Sequence, residues 1–167
     1  TLIITDLDTT KQEKSESNKT VYRACNVSNG THTSNAGIKN WFKEKDDNVD
    51  LAGIRSKKEV DKIQGSRRIA FQIAEKEMSA CGRSFEDAFM IANYGLFDIT
   101  KTNDADLENR AFDLAEDIKK KKTDFALQYA LSDKIWNVPL YIKEGLLWLA
   151  DRSVGGNTSN AEEVINV

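Results

Sequence analysis

The chain has 167 residues, of which 40% are hydrophobic and 31% charged, and its formal net charge is −3. This composition is typical of a globular domain with its own core, and the slight acidity argues against passive nucleic-acid binding through a positive field. No apolar run reaches the roughly 18–20 residues of a membrane span. Two cysteines are too few for a disulfide framework, so a cytoplasmic location without a membrane partner is expected.

Strands are predicted mainly in the first half of the chain. Residues 1–7 are apolar and β-branched and end in acids, which predicts a buried strand in a parallel sheet. Residues 9–19 are polar throughout, so a loop is expected there. Alternation over 20–27 and the run at 67–74 predict two further strands.

The segment between these strands is predicted to be less regular. A turn rich in capping residues at 30–35 leads into a short helix over 36–44, which carries Ile38, Trp41 and Phe42 on one side. Residues 44–66 are dense in charge and are expected to form a loop with one polar helical stretch.

Helical spacing predicts four helices in the second half, over 85–94, 105–119, 123–132 and 138–151. Ser84 suits the cap of the first helix, and Pro139 suits the first turn of the last. The expected organisation is one domain over 1–152 and a flexible tail over 153–167, with a final turn at 161–165.

The pair Asp6 and Asp8 is the strongest chemical signal, because both acids lie at the end of an apolar strand. In parallel sheets, ligands bind beyond the carboxyl ends of the strands, and Mg²⁺ prefers carboxylate oxygens and water. Two enzyme classes use such a pair: Toprim nucleases, for metal, and haloacid-dehalogenase-like phosphatases, with Asp6 as nucleophile and Asp8 as acid/base. The phosphatase class also needs a later acidic pair at a strand end, and Asp46-Asp47 follows no predicted strand.

Two further motifs are candidates for the same site. Ser84 and Glu86 open a helix, where acids are favoured by the helix dipole even without a function. Lys122 ends a run of four lysines, which is more often a solvated helix end than a phosphate contact. His32 is the single histidine, so a structural role is favoured over a zinc site. The aromatic residues Trp136, Tyr141 and Trp148 have helical spacing, which is more typical of a core than of a base-stacking surface.

In chain order, these motifs resemble the Toprim half of OLD-family ATP-dependent endonucleases. The resemblance is carried by LIITDLDTTK (2–11), ACNVSNGTHTSNAGIKNWF (24–42), RIAFQIAE (68–75), GRSFEDAFMIAN (82–93), KKTDFAL (121–127) and WNVPLYIKEGLLWL (136–149). It implies an α/β fold with a Toprim-like, Rossmann-like parallel sheet, flanking helices and a helical insertion or C-terminal helical lobe. It also implies DNA cleavage with two Mg²⁺ or Mn²⁺ ions.

Residue by residue, the resemblance assigns metal binding to Asp6, Asp8, Ser84 and Glu86, and a phosphate contact to Lys122. The family's first strand, with its acidic ligand, and its ATPase domain have no counterpart before Thr1. A fragment of a longer protein, with little or no activity alone, is therefore expected. DNA and that ATPase, which would bind the ATP and could mediate homo-oligomer formation, are the expected partners. A non-catalytic Toprim-like interaction module and the phosphatase remain the alternatives.

Overall fold

The computed structural model describes residues 1–43, 50–75, 78–100 and 102–158, which form a mixed α/β fold. The strands in this part of the chain are β1 (Leu2–Ile4), β2 (Thr9–Lys14), β3 (Thr20–Ala24), β4 (His32–Thr33), β5 (Ile63–Gln64) and β6 (Arg67–Ala70). The helices are α1 (Ala36–Trp41), α2 (Leu51–Arg55), α3 (Phe85–Ala92), α4 (Asp104–Asp117), α5 (Lys122–Ala130) and α6 (Leu140–Thr158). The predicted α/β class is therefore confirmed, with strands early and helices late.

The first sheet has the strand order β1-β6-β5. β1 runs parallel to β6, as predicted, whereas β5 pairs with β6 in the antiparallel direction. The prediction that β1 is buried is wrong, since Ile3 is 38% and Ile4 is 44% exposed. β1 lies at the edge of this sheet, and α6 packs closely beside it: a Cβ on Gly145 would lie 3.1 Å from Leu2.

The second sheet, in the order β3-β2-β4, is antiparallel and corrects the loop predicted over 9–19. Thr9 and Thr10 are buried at the start of β2. Further along the same strand, Glu13 forms ion pairs with Lys11 at 2.9 Å and with Arg23 of β3 at 3.0 Å. Charged residues can therefore form a strand here, because ion pairs with the neighbouring strand stabilise their exposed side chains.

The core between the sheets and the short helices is centred on Leu7, Ile38, Phe42 and Phe71, all buried. The helix predicted over 36–44 ends at Trp41, and residues 44–49 lie outside the described part of the chain. Two helical segments lie in the region predicted to hold one polar helical stretch: α2, which buries Leu51 and Ile54 in this core, and a polar 3-10 turn at Glu59–Lys62.

The four predicted helices are confirmed, the first three within a few residues of their predicted bounds, whereas the last extends seven residues beyond its predicted end. We call α3, α4 and α5, with the segment that follows α5, the helical lobe; its centre is an aromatic cluster around Phe89. α6 begins just after Pro139 and continues through Thr158, so the segment predicted to be a tail is helical in its first part. The turn predicted at 161–165 lies outside the described residues. None of the described helices has the length and apolarity that a bilayer span requires.

Candidate metal and phosphate site

The acids Asp6 and Asp8 lie in the loop that leaves the carboxyl end of β1. Leu7, between them, is fully buried in the core, whereas both acids line an open cleft of about 420 Å³. The alternation of acid, apolar residue and acid therefore anchors the loop through its middle residue and leaves two carboxylates on one side.

The backbone of this loop is fixed by hydrogen bonds from three directions. Thr33 Oγ1 donates to the Leu7 carbonyl at 2.6 Å, and Asn35 Nδ2 donates to the Asp6 carbonyl at 2.6 Å. The Asp8 amide donates to the Arg83 carbonyl at 2.8 Å. Asp8 has a φ of +48°, in the left-handed region that Asp and Asn enter more readily than most residues. The capping-rich segment at 30–35 thus holds the two acids in place.

Gln72, two residues beyond β6, contacts both the loop backbone and an acid. Its Oε1 accepts from the Leu7 amide at 2.6 Å, and its Nε2 donates to Asp6 Oδ1 at 2.7 Å. The Gln72 side chain is 1% exposed and also lies 3.3 Å from the Tyr141 hydroxyl. A polar residue in the apolar run RIAFQIAE was the sequence signal that could have identified it.

The first turn of α3 brings Ser84, Glu86 and Asp87 to the same edge. Ser84 caps the helix as predicted: its amide donates to Asp87 Oδ1 at 2.7 Å, and its hydroxyl donates to the same oxygen at 3.0 Å. A Cβ on Gly82 would lie 2.4 Å from the Ala88 amide nitrogen, so the chain approaches the helix more closely than any side chain allows. Burial raises the pKa of Asp87 to about 6, against the lowering effect of hydrogen bonds from the Arg83 and Ser84 amides.

Lys122 opens α5 and forms an ion pair with Glu86, with its Nζ 2.9 Å from Oε1 and 3.0 Å from Oε2. The Glu86 side chain is 8% exposed and that of Lys122 is 51% exposed. A helix N-terminus disfavours positive charge, so Lys122 does not occupy the favourable helix end that its lysine run suggests. By contrast, Lys119 lies just after the C-terminus of α4 and pairs with Glu116.

The predicted residues Asp6, Asp8, Glu86 and Lys122 lie close enough for their charges to interact. Burial raises the pKa of Asp6, and the Gln72 hydrogen bond lowers it; the Asp8 and Glu86 carboxylates raise it further, whereas Lys122 lowers it. Three carboxylates from two distant parts of the chain therefore share one region of negative potential, which a cation would relieve.

Arg83 is a second cation at this edge that the sequence reasoning missed. Its guanidinium is 14% exposed, lies 3.3 Å from Asp8 Oδ1 and 3.8 Å from Glu116, and lies over the Phe112 ring. Each of the three acids is thus held by one partner: Asp6 by Gln72, Asp8 by Arg83 and Glu86 by Lys122. The sequence signal that could have identified Arg83 is its position directly before Ser84 in the Gly82–Asp87 motif.

The far wall of the cleft is formed by Phe85, Tyr141 and Ile142. Tyr141 is buried, which confirms its predicted core position, although its hydroxyl faces Gln72. The core prediction is wrong for Trp136, which contacts Phe89 of the helical lobe with ring centroids 5.4 Å apart but is 37% exposed. Trp148 packs against Arg152. His32 lies in β4 with its ring against Tyr22, away from the residues that line the cleft.

The donor set determines which metal site this edge can form. Within the described ranges, no three His, Cys, Asp or Glu side chains lie close enough together to hold one ion. Mg²⁺ is often bound by one or two carboxylates, with water and substrate phosphate completing the octahedron. The edge fits an ion of that kind, whereas the full predicted set of Asp6, Asp8, Ser84 and Glu86 stays a prediction. Asp46-Asp47, weighed for a phosphatase, lies outside the described residues.

Comparison of the chain with family models, with curated proteins and with solved structures gives no match.

Proposed function

We propose that the chain is a metal-dependent DNA endonuclease domain, similar to the Toprim half of OLD-family endonucleases. The observation that carries this proposal is the convergence of Asp6, Asp8, Glu86 and Lys122 at one edge of the fold. In the sequence these residues belong to three separate motifs. A lysine beside several carboxylates suits a phosphodiester, whose charge needs both a metal and a protein cation.

The carboxylates of Asp6 and Asp8 are the ligands proposed for Mg²⁺ or Mn²⁺, with Glu86 and the Ser84 hydroxyl as the set on α3. When bound, such an ion lowers the pKa of a water and stabilises a leaving oxygen. Lys122 keeps Glu86 oriented, and its exposed part faces solvent, where it can contact a phosphate oxygen. Phosphate contacts of this kind carry little base specificity.

The oxygen-only character of these ligands accounts for the choice of ion, because carboxylates and hydroxyls favour Mg²⁺ and Mn²⁺ over softer metals. DNA is the proposed substrate, and an ATPase domain of a longer polypeptide, which would bind ATP, is the proposed partner.

Binding of Mn²⁺ tests the proposal first, because it does not depend on turnover. A titration of the 167-residue chain followed by electron paramagnetic resonance should show Mn²⁺ bound by the wild type. Asp6→Asn and Asp8→Asn should weaken this binding by about tenfold or more. Asp151→Asn removes an equivalent charge from an exposed position on α6 and should bind as the wild type does.

Nicking of supercoiled plasmid is the second measurement. Slow, Mn²⁺-dependent nicking that Asp8→Asn reduces by about 100-fold or more is expected. A chain that binds Mn²⁺ but leaves plasmid intact, both alone and with the proposed ATPase domain, indicates the non-catalytic module. Hydrolysis of a generic phosphomonoester without nicking indicates the phosphatase. A wild-type chain that binds no Mn²⁺ and cuts no DNA overturns the proposal.

A further inference from the structure

Gln72 is a buried polar residue whose two amide atoms have separate partners. Its Oε1 accepts from the Leu7 amide at 2.6 Å, while its Nε2 donates to the Asp6 carboxylate at 2.7 Å. The side chain therefore joins the backbone of the acidic loop to the carboxylate that this loop carries.

The position of Gln72 makes this contact rigid. Gln72 is 1% exposed and follows β6, whose Ala70 accepts a hydrogen bond from the Thr5 amide at 3.0 Å. The Tyr141 hydroxyl of α6 lies 3.3 Å from Nε2 on the other side. A glutamine enclosed in this way loses its conformational freedom during folding. It therefore holds the Asp6 carboxylate in one orientation.

The contact involves one oxygen of the Asp6 carboxylate. Because Nε2 donates to Oδ1, Oδ2 remains the oxygen that can turn toward the cleft, which Asp6 lines together with Asp8. Groups that hydrogen-bond to a metal ligand commonly fix its orientation in this way. A residue that only filled the core could be apolar, as its neighbours Phe71 and Ile73 are.

We infer that Gln72 is a positioning residue that orients the Asp6 carboxylate toward a divalent cation in the cleft. This role rests on the function proposed above, since it requires Asp6 to be a ligand. Gln72 acts through Asp6 and contacts neither the cation nor the DNA. The proposed site therefore consists of Asp6, Asp8, Ser84, Glu86 and Lys122, and Gln72 supports Asp6 from the core.

The test replaces Gln72 with methionine, which has similar length and no amide. Gln72→Met should raise the dissociation constant for Mn²⁺, measured by electron paramagnetic resonance, by about tenfold or more. The increase in melting temperature that Mn²⁺ causes should shrink in parallel. Gln64→Met is the matched control: Gln64 is an exposed residue of β5 whose Nε2 donates to the Trp41 carbonyl at 3.0 Å. It should bind Mn²⁺ as the wild type does.

A second variant covers the case in which Gln72→Met fails to fold. Gln72→Asn keeps an amide in the core, but it is one methylene too short to reach both Leu7 and Asp6. Its Mn²⁺ affinity should fall as well, while its melting without metal stays cooperative. If neither variant folds, Gln72 is required for the core itself and the inference is overturned.

The outcomes separate this inference from the proposed function. A folded Gln72→Met chain with wild-type Mn²⁺ affinity overturns the positioning role alone, because wild-type binding and nicking would still support the nuclease. A wild-type chain without Mn²⁺ binding overturns both. Weaker binding in Gln72→Met, with Gln64→Met unchanged, supports both.

Discussion

The acidic edge of the cleft and the helical lobe are stabilised in opposite ways. At the edge, short directional hydrogen bonds from Thr33, Asn35 and Gln72 fix one loop. In the lobe, Phe89 packs against the rings of neighbouring aromatic residues, with ring centroids 5.0–6.1 Å apart. Apolar packing stabilises without specifying direction, whereas a hydrogen bond specifies the position of a particular atom. The lobe therefore supplies stability, and the edge supplies geometry.

α3 connects the two regions within a few residues. Its first turn carries Glu86 and Asp87 at the edge, and its next turn carries Phe89 and Met90 in the lobe. Phe125 of α5, three residues after Lys122, packs on Phe89 with centroids 5.7 Å apart. Substitutions in the two regions should accordingly separate loss of stability from loss of site geometry.

The largest expected effect is on stability, from Phe89→Ala in the lobe. Removal of this ring from the aromatic cluster should lower the free energy of unfolding by about 3–5 kcal/mol, as measured by urea denaturation. Leu127→Ala, at a position of α5 that is 52% exposed, is the control and should change it by less than about 0.5 kcal/mol. Equal losses in the two variants would contradict the assignment of stability to the aromatic cluster.

Lys122 tests the opposite case, a residue that is more important for the site than for stability. Lys122→Met should reduce plasmid nicking by about 100-fold, or about 2.7 kcal/mol of transition-state stabilisation. Its effect on Mn²⁺ affinity should be smaller, and its melting temperature should fall less than that of Phe89→Ala, although the buried Glu86 carboxylate loses its partner. Lys120→Met, at an exposed position in the same lysine run, should nick as the wild type does. A larger effect on Mn²⁺ affinity than on rate would show that the role of Lys122 is misassigned.

Asp87 lies where the two regions meet, and Asp87→Asn should cost about 1–3 kcal/mol, because the Arg83 amide loses its acceptor. Burial raises the folded-state pKa from 3.8 to about 6. The stability that this shift contributes is present below the unfolded pKa and is lost as pH rises through about 6. Thermal melting should therefore show the wild type losing part of its advantage over Asp87→Asn as pH rises from about 4 to about 6, between the unfolded and folded pKa values of Asp87. A constant or growing advantage would contradict the raised pKa.

The smallest effect is expected from Tyr141→Phe, which removes the hydroxyl 3.3 Å from Gln72 and leaves the ring in the cleft wall. A single neutral hydrogen bond contributes about 0.5–1.5 kcal/mol. Urea denaturation should show a loss in the lower part of this range, and Mn²⁺ binding should weaken by only a few-fold. An effect as large as that of Gln72→Met would mean that Gln72 needs the Tyr141 hydroxyl to hold Asp6.

Much of the helical half could be predicted from the sequence because its signals are local. Ser84 caps α3, and the apolar spacing that follows it specifies one buried helix face. The convergence of Asp6, Asp8, Glu86 and Lys122 was also expected, although from resemblance and not from spacing. Chain-local patterns carry no information on which distant segments meet.

The errors lie where distant partners decide the structure. Thr9–Lys14 reads as a loop until β3 and β4 pair with it, and β1 reads as buried until its place at the sheet edge is known. Gln72 and Arg83 were missed for the same reason, since their partners Asp6 and Asp8 are more than 60 residues away. The sequence shows that both residues are polar, but it does not show that they contact Asp6 and Asp8.

The left-handed backbone at Asp8 has a practical consequence for mutagenesis. Alanine there would remove the charge and also the local side-chain hydrogen bonding that lets Asp and Asn tolerate this backbone region, so an inactive Asp8→Ala chain would confound two causes. Asparagine is neutral, nearly isosteric with aspartate and readily adopts the φ of +48°. A glycine variant would go further, relaxing the turn while abolishing the ligand. Comparison of the two variants separates the loss of the charge from the loss of the whole side chain.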